Sequence, residues 1–237
     1  MEKYLTIYHD LVEKTMEKYW ADAEMLPSEN NLAGMYDVSR ETIRKALNLL
    51  AQDGYIQKVR GKGSVIISKN KFDFPVSGIV SFKEIAESLK MQTNTIVNEL
   101  SIVEVDPKLQ FTLDIKVNEP VWKVVRTREI AGEKVILDKD YFSTTLIPML
   151  TKEICEDSIY AYLENELQLK ISYARKEITV EEPTDEDREL LDLADHSNVV
   201  VIKSKVYLED TRLFQYTESR HRPDKFQFVD FARRIRN

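Results

Sequence analysis

"LPSENNLAGMYDVSRETIRKALNLLAQDGYIQKVRGKGSVI", residues 26–66, carries two helix-start signals, a short break and a basic hairpin in succession. Pro27 keeps Leu26 out of helical backbone, and Ser28 can cap a helix whose first turn holds Glu29. Leu32, Ala33 and Tyr36 give that helix its apolar stripe, and Tyr36-Asp37-Val38 breaks it. Ser39 then caps a second helix over 39–50, with Glu41 near its positive end. Ile43, Ala46, Leu47 and Leu50 share one face of it; Arg40, Arg44, Lys45 and Asn48 fall on the other. Gly54 suits the left-handed position that ends such a helix. Residues 55–59 and 64–67 read as two strands around the turn Arg60-Gly61-Lys62-Gly63. The tip of that turn is basic, and its glycines let the backbone approach another molecule closely.

Upstream, Leu5, Tyr8, Leu11, Val12, Thr15, Met16 and Tyr19 recur at helical steps, which predicts an amphipathic helix over 4–18. Helix, helix–turn–helix and basic hairpin together make a winged helix-turn-helix, and double-stranded DNA is its natural partner. The formal net charge of −7 argues the other way only if it is averaged over the chain. Residues 1–75 hold 11 Lys+Arg against 11 Asp+Glu, whereas residues 76–237 hold 23 against 30. Within 39–64 there are six cations and two acids. A local basic surface can take phosphates while the rest of the molecule repels them. Arg40 is assigned to base readout, because an arginine fork matches a base edge. Ser39, Thr42, Arg44, Lys45 and Lys58 are assigned to phosphates, and Arg60 and Lys62 to a minor groove.

At 237 residues the chain has room for one large or two modest domains. Its 43% hydrophobic and 32% charged composition is that of a globular protein. Cys155 is the single cysteine, so no disulfide forms within the chain, and a reducing compartment fits. The N-terminal stretch has no apolar h-region and no run reaches membrane-spanning length, so a cytoplasmic protein with no membrane partner is expected. No HExxH, P-loop, nucleophile elbow or Cys-rich metal motif occurs, so neither an enzyme, a metal nor a cofactor is expected.

"SKNKFDFPVSG", residues 68–78, has no periodicity and contains Pro75 and Gly78, as a linker would. The division expected is 1–69 for the DNA-binding domain, 70–77 for the linker and 78–237 for a second domain. There, helices are expected over 80–90, 158–168 and 184–194, with Ser158 and Thr184 as caps. Strands are expected over 93–106 and 170–182, and hairpins over 121–142 and 198–222. Interspersed helices and antiparallel strands make this an α+β domain within a mixed α/β two-domain chain. Arg126 and Arg128 are its odd residues: strand alternation puts them on one face with Trp122, Val124 and Ile130. A buried guanidinium needs an anion. Either Asp138 or Asp140 on the partner strand supplies one, or the pair is a fork for a phosphate.

The stretch 26–66 resembles the DNA-binding domain of GntR-family bacterial transcription regulators, whose pattern LPSE…L…VSR.TVR.AL..L...G.I....G.G..V it follows almost throughout. The resemblance implies a recognition helix at 39–50, guanine readout by Arg40 and a minor-groove contact by Gly61. Asn30 departs from the Arg that many relatives carry after "PSE"; Asn prefers adenine, so the operator differs there or Asn30 meets only backbone. Residues 76–237 resemble the chorismate-lyase-like (UTRA) effector domain of the family's HutC branch. In its sugar-phosphate-responsive members this resemblance assigns the phosphate to Arg126 and Arg128, helped by Ser158 and Tyr160, and a sugar hydroxyl to Asp138. Gln215 and His221 stand where relatives carry Glu and Tyr on the last strand, which implies a different sugar. "FPVSGIVSFKE", "VILDKDYF", "LTKEICEDSIY" and "LFQYTESRHRPDKFQFVDFARR" resemble the branch's trehalose-operon repressors. The resemblance thus implies a homodimeric repressor on a palindromic operator, released by trehalose 6-phosphate. Another sugar phosphate, such as N-acetylglucosamine 6-phosphate, is the open alternative. Two rivals are a lyase-like enzyme acting on a small anion and a DNA-binding protein with a closed, salt-bridged C-terminal core.

Overall fold

In the computed structural model, which describes residues 3–16, 25–67, 79–88, 90–105, 107–113 and 119–228, the chain divides into two compact units, one within 1–73 and one spanning 74–228. The first unit opens with α1 (Lys3–Met16), α2 (Glu29–Tyr36) and α3 (Arg40–Gln52). Ser28 caps α2 by accepting from Asn31 N–H, and Ser39 caps α3 by accepting from Thr42 N–H. Asp37 takes the left-handed conformation (φ 49°) between them, and Gly54 takes it (φ 78°) after α3. Ile43, Ala46, Leu47 and Leu50 are buried with Ile7, Leu11, Leu32 and Ile56 in one core. Strands β1 (Ile56–Val59) and β2 (Gly63–Ile66) pair antiparallel as the wing. Leu26 N–H donates to the Ser64 carbonyl at 2.8 Å, which ties the lead-in of α2 to the wing. Tyr19 and most of the chain leading to α2 lie outside the described residues, as does the expected linker.

The second unit begins its described part with α4 (Phe82–Ser88), then β3 (Thr93–Val103), α5 (Pro107–Leu113), β4 (Val121–Ile130) and β5 (Glu133–Ser143). Next come α6 (Lys152–Glu156), α7 (Ile159–Asn165), β6 (Ile171–Glu181), α8 (Asp185–Leu190), β7 (Val199–Leu208) and β8 (Leu213–His221), closed by a 3-10 turn at Pro223–Lys225. The six strands form one antiparallel sheet in the order β3-β4-β5-β8-β7-β6. Both sheet faces are covered. One packs Val124, Phe142 and Val206 against Cys155, Ile159, Tyr162 and Leu163 of α6 and α7. The other packs Val125, Leu137, Val199 and Val201 against Leu191 and Leu193. This double cover is why the polar run Arg126-Thr127-Arg128 in β4 is buried throughout.

Four elements differ from expectation. β3 ends at Val103 because its pairing runs out opposite Val121, where β4 begins. α8 ends at Leu190, and Leu191 turns extended (φ −120°, ψ 148°) so that it and Leu193 enter the far-face core. Helices α5 and α6 have no counterpart among the expected elements; α6 is a single capped turn that buries Cys155.

Candidate functional site

On the first unit, Arg40, Arg44 and Asn48 follow one another at i, i+4 and i+8 along the exposed side of α3. The Glu29 carboxylate of α2 reaches both arginines, at 3.7 Å from Arg40 and 3.3 Å from Arg44. Glu41 adds a second contact to Arg44 at 3.0 Å. Lys58 of the wing donates to the Asn48 side chain at 2.6 Å, so wing and α3 present one polar surface. Ser39 and Thr42 join their hydroxyls at 2.9 Å at the head of α3. Lys45 lies instead over the Tyr4 ring of α1, 5.8 Å from its centroid. At the wing tip Gly61 has a positive φ (77°), with nothing near enough to meet an added Cβ. A side chain there costs backbone strain alone. Asn30, Arg60, Gly61 and Lys62 are all exposed.

On the second unit, a cavity of about 200 Å³ lies between the sheet and a roof made by residues 79–83 and 85. Its floor is crossed by Arg126 and Arg128 of β4, Asp138 and Asp140 of β5, and Gln215, Thr217, Ser219 and His221 of β8. Lys176 of β6 and Ser204 of β7 extend the floor, and Asp157, Ser158 and Tyr160 close one side. The two arginines meet the two aspartates diagonally. β4–β5 register places Arg126 opposite Asp138, yet Arg126 bonds Asp140 at 2.6 Å and Arg128 bonds Asp138 at 2.9 Å. Arg126 also donates to the Cys155 carbonyl, and Arg128 to the Thr95 hydroxyl. Arg128 lies 4.8 Å from the centroid of the roof residue Phe82, a cation–π contact. Gln215 links Tyr160 to Asp140, accepting from one and donating to the other at 2.8 Å each. Ser219 donates to Asp138 at 2.6 Å and lies 2.9 Å from His221 Nε2. A hydroxyl has one proton, so Nε2 of His221 carries the hydrogen and Nδ1 remains an acceptor.

Burial works to discharge these groups, and their mutual attraction resists it. For Arg126, burial lowers the pKa, but Asp140 and Asp138 outweigh it and the guanidinium stays charged. For Asp138, burial raises the pKa, and Arg128 and Arg126 hold it below the usual carboxylate value. For His221, burial outweighs the pull of Asp138 and pushes the pKa from 6.5 to about 4, so the ring is neutral near pH 7. Burial also lowers Lys176. The Cys155 thiol is raised by burial to about 11, which suits an inert core residue. Among the described residues, Arg126 Nε is buried without a hydrogen-bond partner. The ion pairs therefore satisfy most of the floor and leave one donor beside the cavity. A fully satisfied core with no cavity is not what the chain builds.

The profile described as bacterial regulatory proteins, gntR family, matches residues 3–66, and that of the UTRA domain matches residues 88–227. The HTH-type transcriptional regulator TreR of Bacillus subtilis (strain 168) is 55% identical over 234 residues, 99% of this chain and 98% of that protein. The chain belongs to the GntR family of bacterial transcription regulators. The crystal structure of the possible transcriptional regulator YydK of Bacillus subtilis matches it with a TM-score of 0.81 at 27% identity, covering 98% of this chain and 100% of that one. The effector-binding domain of the Bacillus subtilis trehalose repressor TreR matches at 56% identity with a TM-score of 0.56, covering 60% of this chain and 99% of that one. The matching domains and these relatives are transcription regulators rather than enzymes.

Within this GntR chain, all seven residues assigned to the effector, Arg126, Arg128, Asp138, Ser158, Tyr160, Gln215 and His221, line the same cavity. Ser158 also caps α7, accepting from Ala161 N–H at 3.2 Å. Sequence reasoning missed Thr217 and Ser219, although they share a strand face with Gln215 and His221 by alternation. It also missed Lys176 and the roof residues Phe82 and Lys83. Nothing local marks those: β6 reaches the floor only through the sheet order, and the roof lies more than forty residues before Arg126.

Proposed function

We propose that this GntR regulator is the repressor of a trehalose uptake and utilisation operon, released from its operator by trehalose 6-phosphate. The observation that carries the reading is the cavity floored by Arg126 and Arg128 and edged by Ser158, with an unpartnered guanidinium donor beside it. Similarity to the trehalose repressor TreR supports trehalose as the sugar. The phosphate meets the arginine pair and Ser158; the sugar hydroxyls meet Asp138, Tyr160, Gln215 and the free Nδ1 of His221. Residues 1–69 read DNA, 70–77 link, and 78–237 bind effector and dimerise. One recognition helix reads only a few base pairs, so a twofold dimer on a palindrome is the economical arrangement. Arg40 reads bases, Asn30 contributes at its own position, and Ser39, Thr42, Arg44, Lys45 and Lys58 meet phosphates. Arg60, Gly61 and Lys62 of the wing enter the minor groove.

The test is a gel shift on the gene's own upstream DNA. Trehalose 6-phosphate should dissolve the complex, whereas trehalose, lacking the anion, should not. Gln215→Leu should raise the concentration needed by roughly tenfold or more through a lost polar contact. A complex indifferent to trehalose 6-phosphate would falsify the assignment.

A further inference from the structure

Glu29 is an acid set among the cations of the surface assigned to DNA. It is the first residue of α2, fixed beside the cap Ser28. Its Oε2 lies 3.3 Å from Arg44 Nη2 and 3.7 Å from Arg40 Nη2, so one oxygen serves two guanidinium groups a helical turn apart. Its field also reaches the wing: burial lowers the Lys58 pKa, Glu29 works against that and Arg44 with it. We propose that Glu29 is a positioning residue for base readout. It holds Arg40 and Arg44 in place before DNA arrives, raising selectivity for the operator while lowering affinity for DNA in general. The inference rests on the assignment of Arg40 to a base edge and adds what orients that side chain.

A carboxylate on a phosphate-binding surface repels the backbone, so affinity alone gives no reason for one here. The helix dipole gives part of a reason, since it favours an acid in the first turn of α2 wherever the side chain points. The contacts supply the rest. Arg40 and Arg44 are 59% and 46% exposed, their side chains are long, and like charges at i, i+4 repel. An anion between them offsets that repulsion and narrows the rotamers each samples. The two contacts differ in kind. At 3.3 Å Arg44 donates a hydrogen bond, and Glu41 accepts from its other terminal nitrogen at 3.0 Å. At 3.7 Å Arg40 is attracted without a hydrogen bond to that oxygen, which leaves its donors for a base edge. The side chains are thus ordered before binding, and less ordering remains to be done on the DNA.

Fluorescence anisotropy with the effector-free full chain tests this on the gene's own upstream operator, on operators with single base pairs changed in turn, and on an unrelated duplex of equal length. Glu29→Gln keeps the size of the side chain and removes its charge. It should bind the unrelated duplex more tightly, with a salt slope steeper by about one ion as Arg44 turns to a phosphate. At the base pair that Arg40→Ala relaxes, preference for the matched operator should fall by roughly three- to tenfold. In the double variant the two losses should not add. Glu41→Gln, which frees Arg44 alone, should leave that preference as in wild type. Thermal midpoints separate these effects from damage to α2, which would weaken every duplex together. Equal weakening on all duplexes, or a loss that adds to that of Arg40→Ala, overturns the positioning role. So does a loss at a different base pair, where the carboxylate would itself be the reader. If Arg40→Ala relaxes no base pair, the readout assignment falls and the role of Glu29 with it.

Discussion

At the scale of single residues, the diagonal pairing of Arg126 with Asp140 and Arg128 with Asp138 sets what substitutions there can report. The Arg126 and Asp140 side chains are both under 10% exposed. Removing one partner of such a pair strands a buried charge and costs roughly 3–5 kcal/mol. Arg126→Met should therefore lower stability by that amount in denaturant melts. Arg126→Met with Asp140→Leu should recover much of it, since apolar replacement of both partners is often nearly neutral. A strictly additive double variant would contradict the pairing. The same test separates loss of effector binding from loss of fold. His221 makes a second prediction. Its folded pKa, about 4, lies below its ordinary 6.5, so the unfolded chain binds the extra proton between those values. Its contribution is intact above pH 6.5 and is lost as pH falls towards 4, by roughly 3 kcal/mol at the limit. Asp138, also depressed, adds to the loss only at lower pH. Denaturant midpoints at pH 7, 5.5 and 4.5 should decline in wild type and decline less in His221→Gln.

At the scale of elements, the roles proposed for α3 and the wing make separable predictions. Arg40→Ala should cost about 1–3 kcal/mol and relax preference at one base position. Lys58→Ala should weaken all sequences alike and reduce the salt slope of operator binding by about one ion. Fluorescence anisotropy on matched and substituted operators at two salt concentrations distinguishes the two. These elements were legible in the sequence because several local signals agree there. Ser39 caps, Ile43, Ala46, Leu47 and Leu50 face one core, and Gly54 and Gly61 both adopt positive φ. Legibility fails where tertiary burial overrides local pattern. Thr151–Glu156 turns once because Cys155 has a core to enter, and a single turn has little helical stability of its own. The run 190–193 looks helical by its leucines, but Leu191 and Leu193 gain more by packing beneath the sheet. In β4 the alternation was enough to put both arginines on one face; the choice between ion pair and ligand fork was not written there. Each arginine pairs with the aspartate two residues along from the position directly opposite it, and both arginines still line the cavity. The cavity roof was out of reach of any local signal.

At the scale of the whole molecule, charge is partitioned between the halves. The 1–75 segment balances 11 cations with 11 acids, and the remainder carries the whole −7. DNA affinity therefore depends on a local basic surface set against a repelling bulk, and added salt screens both. Coupling between the halves is a thermodynamic statement that needs no particular path. If effector weakens operator binding by some factor, operator must weaken effector binding by the same factor. Titrating trehalose 6-phosphate into free and operator-bound protein should return that equality. An effector affinity unchanged by DNA would mean the two sites are uncoupled.

The lone sulfhydryl of the chain is buried beside Arg126, shielded from solvent, with its own peptide oxygen accepting from that guanidinium. Nature has thereby installed a clock. Any disulfide reagent can react only during moments when the packing around it parts, so its consumption counts those moments without a label being engineered in. Ligand held against the arginines should slow the clock, and an inducer that left the rate untouched would be acting somewhere else.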